Sequence, residues 1–257
     1  KDIWTTPEWE KREKLADCEW LATCTALNHA HLAALAPPGR VELVYHGLDL
    51  LRFSFEKTEK QTKNGNDPDN PVIILSVGRL VEKKGTDILL EALARLPKKL
   101  HWRLVHAGGG PLKDQLQRRA TALGIAARVQ WRGARTQVEL LAEYRTADLF
   151  ALASRVARDG DRDGLPNVLA EAQSQGLACV ATAISGIPEL VEDGRSGLLV
   201  APESPAAFAR ALATLIADPA RRRALGEAGR RRVRAEFGLE ENIERLARRF
   251  GLGSAVK

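Results

Sequence analysis

The stretch Val72-Ile-Ile-Leu-Ser-Val77, followed by Gly78-Arg-Leu-Val-Glu-Lys-Lys-Gly85 and then Thr86 to Leu96, reads as a strand, a basic loop and a helix. A strand this apolar on both alternating faces belongs in a sheet covered by helices on each side. The same unit recurs downstream. His101 to Ala107 is a strand before Gly108-Gly-Gly110 and a helix from Pro111 to Leu123. Val129 to Arg132 is a strand before a helix capped by Thr136, and Leu149 to Ala153 and Leu177 to Thr182 are two more strands. A helical turn over Pro188 to Glu192, a short strand over Leu198 to Val200 and helices over Pro205–Ala217, Pro219–Glu236 and Glu240–Phe250 complete the pattern. Strands alternating with helices predict an α/β fold with a doubly wound parallel sheet. Such sheets bind ligands beyond the carboxyl ends of their strands. The loops of interest are therefore residues 78–85, 108–110, 133–135, 154–166 and 182–187.

The fourth of these loops leads into Asp159-Gly-Asp-Arg-Asp-Gly-Leu-Pro-Asn-Val-Leu-Ala-Glu-Ala-Gln-Ser-Gln-Gly176. Pro166 suits the first position of a helix, where its missing N–H costs nothing. Asn167 to Gln175 reads as that helix, with Val168, Leu169 and Ala172 inward. The amides from Gly164 to Val168 then point outward at the positive end of the helix dipole, a natural seat for an anion. Glu171, one turn on, is an acceptor-only carboxylate suited to sugar hydroxyls. A plain helix after a flexible loop, with Glu171 solvated, fits this stretch alone equally well.

The other loops add weaker signals. Arg79 forks onto phosphate oxygens and Lys84 supplies a point charge, although the order of residues is not that of a P-loop. Gly78, Gly108 and Gly109 allow backbone to approach a base or ribose closely. No G-x-G-x-x-G run is present, which disfavours a dinucleotide cofactor. Glu189 reads as a brace for its loop. None of His29, His31, His46, His101 and His106 has a Ser or Cys nucleophile motif beside it, and they read as structural; His46, at a domain junction, is the most open of the five.

The chain has 257 residues, 44% hydrophobic and 28% charged, with a net charge of +6. These proportions suit a globular protein, and no apolar run approaches the length of a membrane span. Cys18, Cys24 and Cys179 are odd in number and lack metal spacing, so they read as free thiols in a reducing compartment, with no zinc or redox role. Methionine is absent and the first residue is Lys1, which suggests a processed product or a fragment. Positive charge is concentrated late: from Val200 onward, eleven Arg and one Lys stand against seven acids. Arg221-Arg-Arg223 and Arg230-Arg-Arg232 read as a solvated helical face, with an anionic membrane surface as the sharper alternative. Aromatic platforms are scarce there, which argues against nucleic acid.

Residues 1–55 give α-β-α-β, too little for a complete α/β domain and suggestive of the end of one. Residues 56–70 are polar, contain Gly and Pro, and read as a linker. Residues 71–257 hold the regular sheet and the C-terminal helices.

Four motifs in order, G-R-L-V-E-K-K-G, H-A-G-G-G-P, D-G-L-P-N-V-L-A-E-A and G-I-P-E-L-V-E-D-G-R-S-G-L-L-V, resemble the retaining GT-B glycosyltransferases of group 1 (family 4). The resemblance runs from about Val41 to Phe250. It implies two Rossmann-like domains facing across a cleft: residues 1–55 ending the acceptor-side domain, and residues 71–257 holding the nucleotide-sugar donor. By the same resemblance Arg79 and Lys84 contact the diphosphate, and the amides of Leu165, Pro166's neighbours Asn167 and Val168, and Gly164 line its seat. The paired acids of the family map onto Asp163, at the donor sugar, and Glu171, at the ribose. Asp163 replaces the usual Glu and reaches less far. The run D-G-D-R-D-G-L-P-N-V-L is similar to members that build exopolysaccharides. The implied reaction moves a sugar from a UDP- or GDP-type donor to a saccharide or lipid-linked acceptor, with retention and without a metal or other cofactor. Arg79, Lys84 and Asp163 carry the catalytic role. The implied place of action is the cytoplasm, at or near the inner face of the membrane. Two other classes remain open on the sequence: a nucleotide-sugar-binding module without transfer activity, and a basic protein of membrane or nucleic-acid surfaces.

Overall fold

A computed structural model describes residues 3–54 and 62–252. In chain order, α1 (Glu8–Asp17), β1 (Leu21–Thr23), α2 (Ala26–Ala33) and β2 (Val41–Leu43) form a small body. Its two strands pair in parallel, and Leu15, Leu32 and Val41 form its own buried cluster. The large body follows: β3 (Val72–Val77), α3 (Thr86–Ala94), β4 (Trp102–Ala107), α4 (Lys113–Ala122), β5 (Val129–Gly133), α5 (Gln137–Thr146), β6 (Leu149–Leu152), α6 (Asn167–Ser174), β7 (Ala178–Thr182), α7 (Ile187–Leu190), β8 (Gly197–Val200), α8 (Pro205–Ala217), α9 (Pro219–Glu236) and α10 (Leu239–Arg249).

The large sheet has six parallel strands in the order β5-β4-β3-β6-β7-β8. Successive strand residues feed opposite layers, as the two-residue period of a strand requires. Val72 and Ile74 join Leu89, Leu93, Leu116, Phe208 and Leu212 on one face. Leu75 and Val77 join Phe150, Tyr144, Leu169 and Val233 on the other. The doubly wound sheet read from the sequence is therefore realised, and the strand order reverses between β3 and β6. Ligands of such folds bind at that reversal, where consecutive loops diverge and leave a crevice.

Two sequence readings change. Residues 56–61 of the expected linker lie outside the described residues. Residues 63–65 are tied down: Lys63 pairs with Asp148 at 3.0 Å, and Gly65 accepts from the His101 amide at 2.7 Å. The arginine-rich run is not uniformly a solvated face. Arg222 is 8% exposed and donates to the carbonyls of Leu215 and Ile216, in the last turn of α8, and of Lys63. Carbonyls at a helix end have no partner within the helix, and a guanidinium supplies several donors at once. Arg221, Arg223, Arg231 and Arg234 remain exposed. No helix among the described residues is long and apolar enough to cross a membrane.

The bodies are joined through the C-terminal segment. The amide of Leu48 donates to Phe237 O and the amide of Leu239 to Leu48 O, at 2.8 and 3.0 Å. From there α10 runs toward the small body, where Arg249 pairs with Glu42 at 2.9 Å and Phe250 meets Trp20 edge-on.

His106, at the end of β4, is 1% exposed, and its Nε2 lies 3.2 Å from the carbonyl of Gly78. A carbonyl only accepts, so Nε2 carries the proton and Nδ1 is left buried without a partner among the described residues. Protonating Nδ1 would bury an unpaired charge, and desolvation accordingly lowers the His106 pKa from 6.5 to about 4. The unfolded chain takes up the proton first. Stability is thus full above pH 6.5 and falls as pH drops toward 4, by roughly 3 kcal/mol in total. Urea unfolding across that window should show this loss in the wild type and a flatter profile in His106→Gln.

Candidate active site

The loops after β3 and β6, on either side of the reversal, are knitted together. The amide of Arg155 donates to Lys83 O at 2.9 Å, its Nε to Glu82 O at 3.1 Å, and its guanidinium pairs with Asp87 at 3.1 Å. Lys83 pairs with Asp161 at 3.0 Å. Gly85 adopts φ +57°, and a Cβ there would sit 1.9 Å from the carbonyl oxygen of Ala153. Only glycine lets the two backbones touch at this point.

Inside this knit, Lys84 Nζ meets Asp163 Oδ2 at 2.9 Å, with the side chains 15% and 10% exposed. Ser154 Oγ donates to the same carboxylate oxygen at 2.8 Å, and the Ser154 carbonyl is fixed by Thr182 Oγ1. Both partners on Oδ2 leave Oδ1 without a hydrogen bond among the described residues. An ammonium has three donors, so Lys84 retains capacity beyond Asp163. Arg79, by contrast, is exposed and its guanidinium forms no ion pair among the described residues.

α6 begins four residues after Asp163, at Asn167. Pro166 sits one position earlier than the sequence suggested: its ψ of 110° is extended, which makes it the N-cap, and Asn167 is the first helical residue. No side chain caps α6 and no acid lies in its first turn. In α5, by comparison, Thr136 and Glu139 form a complete capping box. The amides at the start of α6 thus retain their attraction for an anion. Glu171 lies on the same helix, partly buried. Tyr144 of α5 donates to its Oε2 at 2.8 Å, and burial raises the Glu171 pKa against the lowering effect of that bond. Asn167, Ala170, Glu171, Gln137, His46 and Arg52 border a cavity of about 210 Å³.

The three glycines of the sequence reading differ in role. A Cβ on Gly108, at φ +139°, would lie 1.9 Å from Gly78 O, so that glycine serves the packing of backbone on backbone. Gly78 lies under the aliphatic stem of Lys84, where a Cβ would touch it at 3.4 Å. Around Gly109 there is open space where a Cβ would stand.

Two contributors were not singled out by sequence reasoning. Ser154, at the start of Asp163's own loop, and Tyr144, on α5, hold the two acids, and no local pattern marks them. His46 was read as structural, yet its Nδ1 lies 3.3 Å from Asn167 Oδ1 at the head of α6. Glu189 was read as a brace, and it is one with a longer reach than expected: its carboxylate accepts from the Ala26 and Leu27 amides and from Tyr45 OH. It therefore caps α2 of the small body from α7 of the large one.

The family model for glycosyl transferases group 1 matches residues 57–232. The chain belongs to this family. Among curated group 1 relatives, it is 36% identical over 203 residues to a GDP-mannose-dependent alpha-(1-6)-phosphatidylinositol monomannoside mannosyltransferase of Mycolicibacterium smegmatis, covering 77% of this chain and 53% of that one. The chain thus spans about half the length of this relative. Among solved GT-B structures, sucrose-phosphate synthase from Thermosynechococcus elongatus superposes with a TM-score of 0.79 at 26% identity, over 96% of this chain and 62% of that one. Anabaena Alr3699/HepE, solved in complex with UDP-glucose, superposes with a TM-score of 0.78 over 96% of this chain and 70% of that one; at 20% identity the likeness is one of fold.

The buried pair and the exposed arginine should separate in stability measurements. Lys84→Met leaves Asp163 charged and buried, and should cost about 3 kcal/mol. Arg79→Ala should stay within about 0.5 kcal/mol of wild type. Urea denaturation of the two variants checks both values.

Proposed function

We propose that the protein of which this chain is part, or the whole, is a retaining glycosyltransferase that moves a sugar from a nucleoside diphosphate sugar to an acceptor hydroxyl. One observation carries the reading: at the strand-order reversal of a group 1 chain, the Lys84–Asp163 pair adjoins an uncapped helix start, with Glu171 one turn beyond. Residues 71–257 hold the donor, and residues 1–55 end the acceptor-side domain. Arg79, the free donors of Lys84 and the amides from Gly164 to Val168 take the diphosphate. As the bond to the sugar breaks, negative charge grows on that diphosphate, and fixed positive groups stabilise the transition state more than the ground state. This supply of charge from the chain itself is why no metal is required. Asp163 Oδ1 takes a hydroxyl of the donor sugar. Glu171, whose Oε2 is held by Tyr144, presents its other oxygen to the ribose.

The donor is of UDP or GDP type; the GDP-mannose-dependent relative and the UDP-glucose complex of the fold neighbour support that class. The acceptor is a saccharide or a lipid-linked hydroxyl in polysaccharide or glycolipid synthesis, the exopolysaccharide-type motif and the glycolipid named for the relative being the support. Acting on such acceptors, the protein works in the cytoplasm at the membrane's inner face, a reading supported by the exposed arginines of α9, which suit anionic headgroups. A second reading, donor binding without transfer by this chain, is favoured by its covering only 53% of the relative's length.

Calorimetric titration with UDP, GDP and ADP tests the donor site. One nucleotide should bind, and Arg79→Ala and Glu171→Ala should each weaken it by about tenfold or more, near 1.4 kcal/mol. A folded chain that binds none of the three would overturn the reading.

A further inference from the structure

Cys24 follows β1 directly and precedes Thr25, the N-cap of α2. Its thiol is half-buried on the wall of a cavity of about 610 Å³ that His46, Tyr45, Asn167 and Asn242 also line. The His46 imidazole, beyond the end of β2, shares that cavity wall with the Cys24 thiol and is the group that acts on it most strongly, while its Nδ1 lies 3.3 Å from Asn167 Oδ1. The Leu165 amide also lowers the thiol, and a Cβ on Gly164 would lie 3.7 Å from the sulfur. A thiol, an imidazole, a side-chain amide and a backbone N–H from three separate segments therefore converge beside the start of α6. Sequence spacing gave Cys24 no redox role, because none of these partners lies near it in the chain.

We propose that Cys24 is a thiol–disulfide exchange site, with His46 as its base and Asn167 as the group that orients the imidazole, and that it accepts low-molecular-weight disulfides through the adjoining cavity. His46 takes the thiol proton. The Cys24 thiolate attacks one sulfur of the disulfide, forming a new S–S bond as the old one breaks. The released sulfur leaves with the bonding electron pair and regains the proton from His46. Cys24 is oxidised to a mixed disulfide and the departing thiol is the reduced product, so no other oxidant is needed.

The environment suits this chemistry. The neighbouring His46 imidazole holds the thiol below its usual range despite partial burial, and the thiol in turn raises His46. Tyr45 is the other titratable group on the cavity wall, and its hydroxyl is donated to Glu189. Asn242, Ile243 and Leu246, on the facing side of α10, bring no charge. Cys179 differs in both respects: it is fully buried in β7, and burial pushes its thiol far up. A mixed disulfide on Cys24 adds bulk against Gly164 and Leu165, at the amides assigned to the diphosphate. Exchange would thereby block donor binding, a consequence that rests on the donor-site reading above.

The test exposes the full chain to oxidised glutathione and follows each cysteine by peptide mass spectrometry as pH is varied. Cys24 should react at least about threefold faster than Cys18 near neutral pH, because a larger thiolate fraction outweighs the lower nucleophilicity of a more acidic thiol. His46→Gln should slow Cys24 and move its pH profile upward while leaving Cys18 unchanged. Equal rates at Cys24 and Cys18 in the unaltered chain would overturn the proposal, whatever the folding of the variant. Nucleotide titration before and after modification tests the block. Binding lost on modification and restored by dithiothreitol supports it, and undiminished binding overturns it. Failure of the unmodified, folded chain to bind nucleotide would instead overturn the donor-site reading, and the rate comparison would still decide the thiol.

Discussion

The ion pair between Lys84 and Asp163 lies where β3 and β6 run side by side, and the candidate site is built outward from it. Each partner belongs to a loop that leaves the sheet at the strand-order reversal. A pair this buried holds only if its desolvation is offset by good geometry and further hydrogen bonds. Ser154 supplies one such bond, and the arginine and glycine contacts between the two loops supply the rigidity. The position of Asp163 then sets where α6 begins, and with it the direction of the uncapped amides and the place of Glu171. One electrostatic contact thus fixes the relative positions of the groups assigned to sugar, diphosphate and ribose.

The same economy governs the join between the two bodies. Glu189 extends from α7 to the first amides of α2, which satisfies orphan donors and places a negative charge at the favourable end of the helix dipole. Its second contact, Tyr45 OH, lies in the segment that leads to His46, and burial together with Glu189 pushes the Tyr45 hydroxyl up to about 12. The hydroxyl accordingly stays protonated and remains a donor. Through these contacts and α10, the small body is held with Cys24 and His46 against the head of α6. Chemistry at that junction therefore bears directly on the candidate donor site.

Much of this architecture was legible in the chain. The apolar runs at Val72–Val77 and Leu149–Ala153 admit little other than strands covered on both faces, and Thr136 with Glu139 is a complete local instruction for starting α5. The placement of Arg79, Lys84 and Asp163 on loops at one edge of the sheet, with Glu171 on the helix that follows, was legible too, because loops at the carboxyl ends of parallel strands converge in any doubly wound sheet. What could not be read were relations between loops. Gly108 was read for the freedom of its backbone, and that the freedom serves its close packing on the Gly78 carbonyl was not visible in the chain. Arg222 looked like one of three solvated arginines, and it caps the end of α8 because of where α9 turns back.

The sequence by itself determined the alternation of strands and helices, the positions of the loops at one edge of the sheet and the chemical types placed there, since hydrophobic period and turn chemistry are local properties of the chain. Tertiary structure alone decided which groups became partners: Lys84 with Asp163, Tyr144 with Glu171, Glu189 with the head of α2, and His46 with both Asn167 and Cys24. A hydrogen bond or an ion pair depends on a separation of about 3 Å and on direction, and residues far apart in the chain acquire both only when the whole fold has closed.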